Sequence, residues 1–182
     1  MPDAMSRTAV YNFPARWLHW SIFALIGVEF VIAWTMPDIR RDTRPIGLVA
    51  WHLGLGTFIL SLMLLRLFWR AASGVPDPHP APAWQERIAR LTHVLLYAGF
   101  IALPVLGWAN VSGRGWTAHW AGLITLPALA AQGAAWARPL GDVHQLVAYG
   151  LLALIALHVL AAVHHHFIMR DGLLARMWRS SR

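Results

Sequence analysis

Apolar residues gather along this chain in four long runs, residues 17–36, 46–69, 90–110 and 143–168, separated by segments rich in proline, glycine and charge. A helix crosses the roughly 30 Å hydrocarbon layer with about 20 residues, so each run has spanning length. The first two connections, MPDIRRDTRPIG and SGVPDPHPAPAWQ, carry residues that end helices and start turns. The third, residues 111–142, is long and partly apolar, but Pro127, Gln132 and Gly133 interrupt it below spanning length. A fifth crossing there would also put the arginine-rich C-terminal segment on the wrong side. The expectation is an interfacial periplasmic cap of amphipathic character, with Trp116, Trp120 and Trp136 at headgroup level. The first run is kept as a span, because no A-x-A-like cleavage site follows it and it ends in MPDIRRD. The pattern predicts an all-α integral membrane four-helix bundle, a single domain over residues 1–182, with both termini on one side.

Composition agrees. The chain is 58% hydrophobic with a mean hydropathy of +0.50, and its 13% charged residues are half of the roughly 25% in soluble domains. The fifteen basic side chains are all arginine. Arg7, Arg16, Arg66, Arg70, Arg87, Arg90, Arg170, Arg176, Arg179 and Arg182 fall on the side of the termini; Arg40, Arg41, Arg44, Arg114 and Arg138 fall on the other. Enrichment of arginine on the cytoplasmic face places both termini in the cytoplasm. The net charge of +7 reads as this topology signal together with contact to lipid headgroups, not as a nucleic-acid surface. Without cysteine, the chain has no disulfide, thiolate haem ligand, c-type haem attachment or thiolate-held iron–sulfur cluster. Redox chemistry, if present, falls to histidine.

His19, His52, His144 and His158 lie inside the apolar runs. His144 and His158 are fourteen residues apart, which on a helix is a rise of about 21 Å and a turn about 40° short of whole turns. Both rings therefore face one side at two depths. His19, at the cytoplasmic end of the first helix, shares a level with His158; His52 and His144, near the periplasmic starts of the second and fourth helices, share the other. Single histidines near helix ends serve as interfacial anchors, but two matched pairs fit bis-histidine ligation of two b-type haems. Zinc fits less well, since structural zinc takes about four ligands at one point. His93 competes with His19 on depth, as ligand, quinone contact or packed side chain. Gly54 and Gly56 beside His52 either admit a macrocycle or let helices pack closely. Glu29 is the acidic residue well inside a span, where a proton path and a hydrogen-bonded structural role both stand.

The strings RWLHW, WHLGLG, LLRLFWR, THVLLYAGFIALPVLGW and GDVHQLVAYGLLALIALHVLAAVHHHFIMRDGLLARM resemble the bacterial cytochrome b-561 family. The resemblance runs from Arg16 to Met177, is strongest on the fourth helix and weakest over residues 111–140. It implies a di-haem protein of the bacterial inner membrane, with His19 and His158 ligating one haem b and His52 and His144 the other, the pairing that depth gives by itself. Members of that family include a superoxide oxidase, which oxidises superoxide to dioxygen and passes the electron to ubiquinone. On that expectation the periplasmic arginines steer a small anion, diluted by Asp38, Asp42 and Asp142, or are ordinary loop charge. Arg66 and Arg70 pair with haem propionates or snorkel to lipid phosphate. His164, His165 and His166 supply protons to a reduced quinone or form a basic interfacial belt. The alternative is an electron-transfer subunit linking the quinone pool to a separate dehydrogenase or reductase, docked on the third loop. A transporter has no support, since internal repeats and broken helix pairs are missing from the sequence.

Overall fold

The computed structural model describes residues 10–74, 76–77 and 81–178; Arg7, Arg179 and Arg182, used above for orientation, lie outside them. Four helices are long and apolar enough to cross a membrane: α1 (Phe13–Thr35), α2 (Leu48–Ser73), α3 (Ala83–Gly113) and α4 (Leu140–His164). In lipid a spanning helix satisfies its own backbone groups, so the apolar runs have one local solution. The ends are set by local chemistry. Asn12 caps α1 by accepting the Ala15 N–H at 3.1 Å, and it accepts the Trp69 indole N–H of α2 at 3.0 Å. Met36 is extended and ends α1, as expected of a residue before proline. Gly47 and Gly74 flank α2 at φ of 57° and 71°, a region glycine enters freely.

Every helix departs from its apolar run. α3 begins seven residues before the expected Arg90, because AWQERIAR is a good helix former although too polar to register as hydrocarbon-spanning. α4 continues from His164 into a π-helical turn, His165–Met169, closed by Arg170 in the left-handed conformation, and a short α5 (Ala175–Trp178) follows.

A core of Leu18, Ile22 and Ile26 on α1 meets Ile59 and Met63 on α2, Phe100 on α3 and Leu151 on α4. α1 packs chiefly on α2 and α3 on α4, with α2 and α3 joining the two pairs. Large apolar side chains such as Phe23, Val31, Leu64, Phe68, Leu157 and Leu160 are exposed, the inverse of a soluble surface and suited to lipid tails.

The two ends differ. At one, Tyr11 N–H donates to the Arg176 carbonyl at 3.1 Å, the Trp20 indole to the Met177 carbonyl at 3.0 Å, and the Arg176 guanidinium to the Asp77 carbonyl at 2.5 Å. The N-terminal segment, the α2–α3 connection and the C-terminal segment thus meet at one end, as an even number of crossings requires. At the other end, residues 114–139 form a folded insert built on a two-stranded antiparallel hairpin, β1 (His119–Trp120) and β2 (Ile124–Thr125), and a 3₁₀ turn at Ala135–Ala137.

For Trp120 that insert departs from the expected headgroup-level cap. Its hairpin lies along α2: the Thr57 hydroxyl donates to the His119 carbonyl at 3.0 Å, and the Trp120 indole donates to the Ser61 hydroxyl at 2.7 Å. Ser61 is thirteen residues into α2, about 20 Å along its axis, so Trp120 reaches well below headgroup level. A side chain at Gly54 would place its Cβ 3.0 Å from Gly122 N, which makes Gly54 the seat of the hairpin backbone, neither a macrocycle gap nor a helix–helix contact. Packing of β-structure against a helix is a tertiary event that hydropathy does not encode.

Candidate functional site

The four intramembrane histidines form two ring pairs. At the hairpin end His52 of α2 and His144 of α4 have ring centroids 5.9 Å apart with planes at 82°. At the tail end His19 of α1 and His158 of α4 are 6.3 Å apart at 80°. Two imidazoles on opposite sides of one metal, with metal–nitrogen bonds of about 2 Å extended by the two ring radii, have centroids about 6 Å apart. Both separations match that length. Among the described residues no three His, Cys, Asp or Glu side chains converge as a metal shell.

The hairpin-end pair borders a cavity of about 490 Å³ between the helices, lined by Glu29, His52, Gly107, Arg114 and His144 among others, within the roughly 300–1,000 Å³ of small-molecule sites. The two rings are held by different partners. His144 Nδ1 donates to the Leu103 carbonyl at 2.8 Å, leaving Nε2 as its free nitrogen. Gly107, one turn further along α3, gives that ring its space: a Cβ there would stand 3.1 Å from His144 Nδ1 and Cε1. His52 Nδ1 lies 2.8 Å from Glu29 Oε1, both side chains less than one-fifth exposed. The contact is close but off the line of a well-formed hydrogen bond.

At the tail end His93 joins the pair, its ring centroid 5.5 Å from that of His158, while its Nδ1 bonds the Ala89 carbonyl at 2.7 Å. Three of the expected residues therefore converge there, and distance leaves His19 and His93 both beside His158. Arg66 donates to the Ala15 carbonyl at 2.7 Å and lies 6.0 Å from the Tyr97 ring centroid. Arg70, one turn further along α2, is more exposed.

The histidine run divides as consecutive helical residues must. His165 binds Asp171 through Nδ1, and the other carboxylate oxygen of Asp171 accepts the Leu173 N–H at 3.0 Å. His164 stands beside His165, with ring centroids 6.0 Å apart, and His166 packs on Phe167 at 4.6 Å. Of the outer arginines, Arg40 pairs with Asp38 at 3.4 Å while both remain highly exposed. Arg114 is built in, donating to Asn110 Oδ1 at 3.1 Å and the Arg40 carbonyl at 3.3 Å over the Trp116 ring. Asn110 is itself buried and donates to the Ala137 and Arg138 carbonyls at 2.9 and 3.0 Å.

Sequence reasoning singled out Glu29 without a partner. The signal was available: Glu29 is six residues from the end of α1 and His52 four from the start of α2, so the depth comparison that pairs the histidines also brings these two to one level.

Comparison with known proteins adds a further line. Residues 10–180 match the family model described as prokaryotic cytochrome b561. The chain is 36% identical over 179 residues to cytochrome b561 homolog 1 of Escherichia coli strain K12, covering 96% of this chain and 97% of that one. It is 32% identical to a probable superoxide oxidase of Yersinia pestis, covering 91% and 93%, and 29% identical to cytochrome b562 of Cereibacter sphaeroides, covering 89% and 90%.

Proposed function

Because this chain belongs to the prokaryotic cytochrome b561 family of membrane electron-transfer proteins that bind haem b, we propose that it is a di-haem cytochrome of the bacterial inner membrane which oxidises superoxide and reduces ubiquinone. The observation that carries the di-haem reading is the pairing of rings at two depths, His52 with His144 and His19 with His158, at 5.9 and 6.3 Å. The relative named a probable superoxide oxidase supports the choice of donor.

Haem b, when bound, supplies a one-electron iron couple. The chain supplies the rest. His144 and His52 would hold one group through Nε2, His144 with Nδ1 donating to Leu103 and His52 with Nδ1 facing the Glu29 carboxylate; His19 and His158 would hold the other. The apolar helices would surround these groups. Arg40, Arg41, Arg44, Arg114 and Arg138 favour approach of an anion at the hairpin end, and Arg66 puts positive charge beside the tail-end pair, where an anionic propionate is stabilised. His93, His164 and His165 stand at the tail end, the proposed cytoplasmic side, where reduction of a quinone takes up protons.

The test is a reduced-minus-oxidised spectrum of the purified chain with haem counted per polypeptide, followed by superoxide oxidation with ubiquinone as acceptor. Two b-type haems and a rate far above background are expected. Two haems without that rate would transfer the role to an electron-transfer subunit serving a separate redox protein. No haem would overturn the reading.

A further inference from the structure

The partners of His52 and His144 are unlike. Metal-bound histidines hand their second ring N–H to a carboxylate or a carbonyl, which fixes the ring and tunes its basicity. His144 has the neutral carbonyl of Leu103; His52 has the carboxylate of Glu29, 2.8 Å away. The histidine–carboxylate pairs among the described residues are His52–Glu29 and His165–Asp171, so the tail-end rings His19 and His158 have no such partner.

Glu29 is also held at some cost. Its side chain is 16% exposed, and Oε2 and the facing His52 Nδ1 are both buried without a well-formed hydrogen bond, in a span where a lone carboxylate is strongly disfavoured. Room is made for it by Gly56, one turn beyond His52 on α2: a Cβ there would just touch Oε1, at 3.4 Å. Glu29 also lines the cavity between the helices. A merely structural carboxylate would be better satisfied by hydroxyl or amide donors than left with one oxygen bare beside an imidazole.

We propose that Glu29 is a positioning residue for His52: its carboxylate stands against Nδ1, leaving Nε2 for the hairpin-end haem, and its negative charge makes that ligand more electron-donating, which lowers the reduction potential of this haem. The proposal rests on the di-haem reading and adds an asymmetry to it, since the carboxylate acts on one haem alone.

The experiment compares the purified full-length chain with Glu29→Gln and Glu29→Leu by haem count, spectroelectrochemical titration and electron paramagnetic resonance; His144→Ala identifies which signal belongs to the hairpin-end haem. Glu29→Gln keeps an acceptor for Nδ1–H but not the charge, so it retains two haems, and the potential of the hairpin-end haem alone moves positive. Glu29→Leu loses both, and affinity for that haem falls about 10–100-fold. Unchanged potentials and resonance in Glu29→Gln, with full haem in Glu29→Leu, would overturn the proposal while leaving the di-haem reading intact. A parent chain without two haems overturns the reading and the proposal together. If Glu29→Gln fails to accumulate, Glu29→Asp, which keeps the charge but shortens the reach, decides: weakened binding of that haem alone supports the proposal, unchanged binding and potential overturn it.

Discussion

A side chain at position 107 would have to share space with the His144 ring, since the first added carbon already stands 3.1 Å from it. Contact that tight forces the neighbour to move, and a ring held at Leu103 has little freedom to do so. Gly107→Val is therefore expected to lower haem from two per chain to one, measured by pyridine haemochrome, with the tail-end haem kept. His158→Ala is the complement: loss of the tail-end haem with the hairpin-end haem in place. Equal loss of both would refute the pairing. His19 and His93 both lie beside His158, but the resemblance assigns the iron to His19, so His93→Ala should keep both haems where His19→Ala keeps one.

The hairpin is the element that hydropathy could not find. Its hold on α2 comes from Thr57, Ser61 and the bare backbone at Gly54. Removing the indole donor with Trp120→Phe should cost about 0.5–1.5 kcal/mol, the net worth of one hydrogen bond, seen as a lower Tm in detergent. Gly54→Leu, which pushes on Gly122, should release the hairpin and expose residues 117–127 to limited proteolysis with the helices intact. The four spans were legible because an apolar run of 20 residues has few alternatives in lipid; their ends were not, because helices such as α3 run on through polar sequence like AWQERIAR. Histidine pairs were legible because depth accumulates by a fixed rise per residue. The seat of the hairpin on Gly54 was not, since it joins residues far apart in sequence through contacts with no periodic signature.

Across the whole molecule, charge is sorted by end. Arg40, Arg41, Arg44, Arg114 and Arg138 lie towards the hairpin, and Arg66, Arg70 and Arg176 towards the tail. If the hairpin end faces the periplasm and receives an anion, raising ionic strength from 0.01 M to 1 M, which shrinks the screening length from about 30 Å to about 3 Å, should slow superoxide oxidation severalfold. Replacing Arg40, Arg41 and Arg44 by Gln should flatten that dependence, measured by pulse radiolysis. Sidedness has its own test, because the chain lacks cysteine. A single cysteine at exposed Leu123 should react with an impermeant maleimide from the periplasmic side, whereas one at exposed Trp84 should not.

Thr57 and Ser61 also bear on the order in which the protein is made. Each hydroxyl donates within α2, Thr57 to the Gly54 carbonyl at 2.9 Å and Ser61 to the Thr57 carbonyl at 3.2 Å. The ribosome finishes α2 at Ser73 and reaches the hairpin at His119, a delay of roughly 2–9 s at about 5–20 residues per second. During that interval neither hydroxyl is stranded in lipid, so α2 enters the bilayer already complete. The hairpin then docks on a preformed track: Ser61 accepts the Trp120 indole N–H while still donating to Thr57, and the single Thr57 proton is shared between the Gly54 and His119 carbonyls.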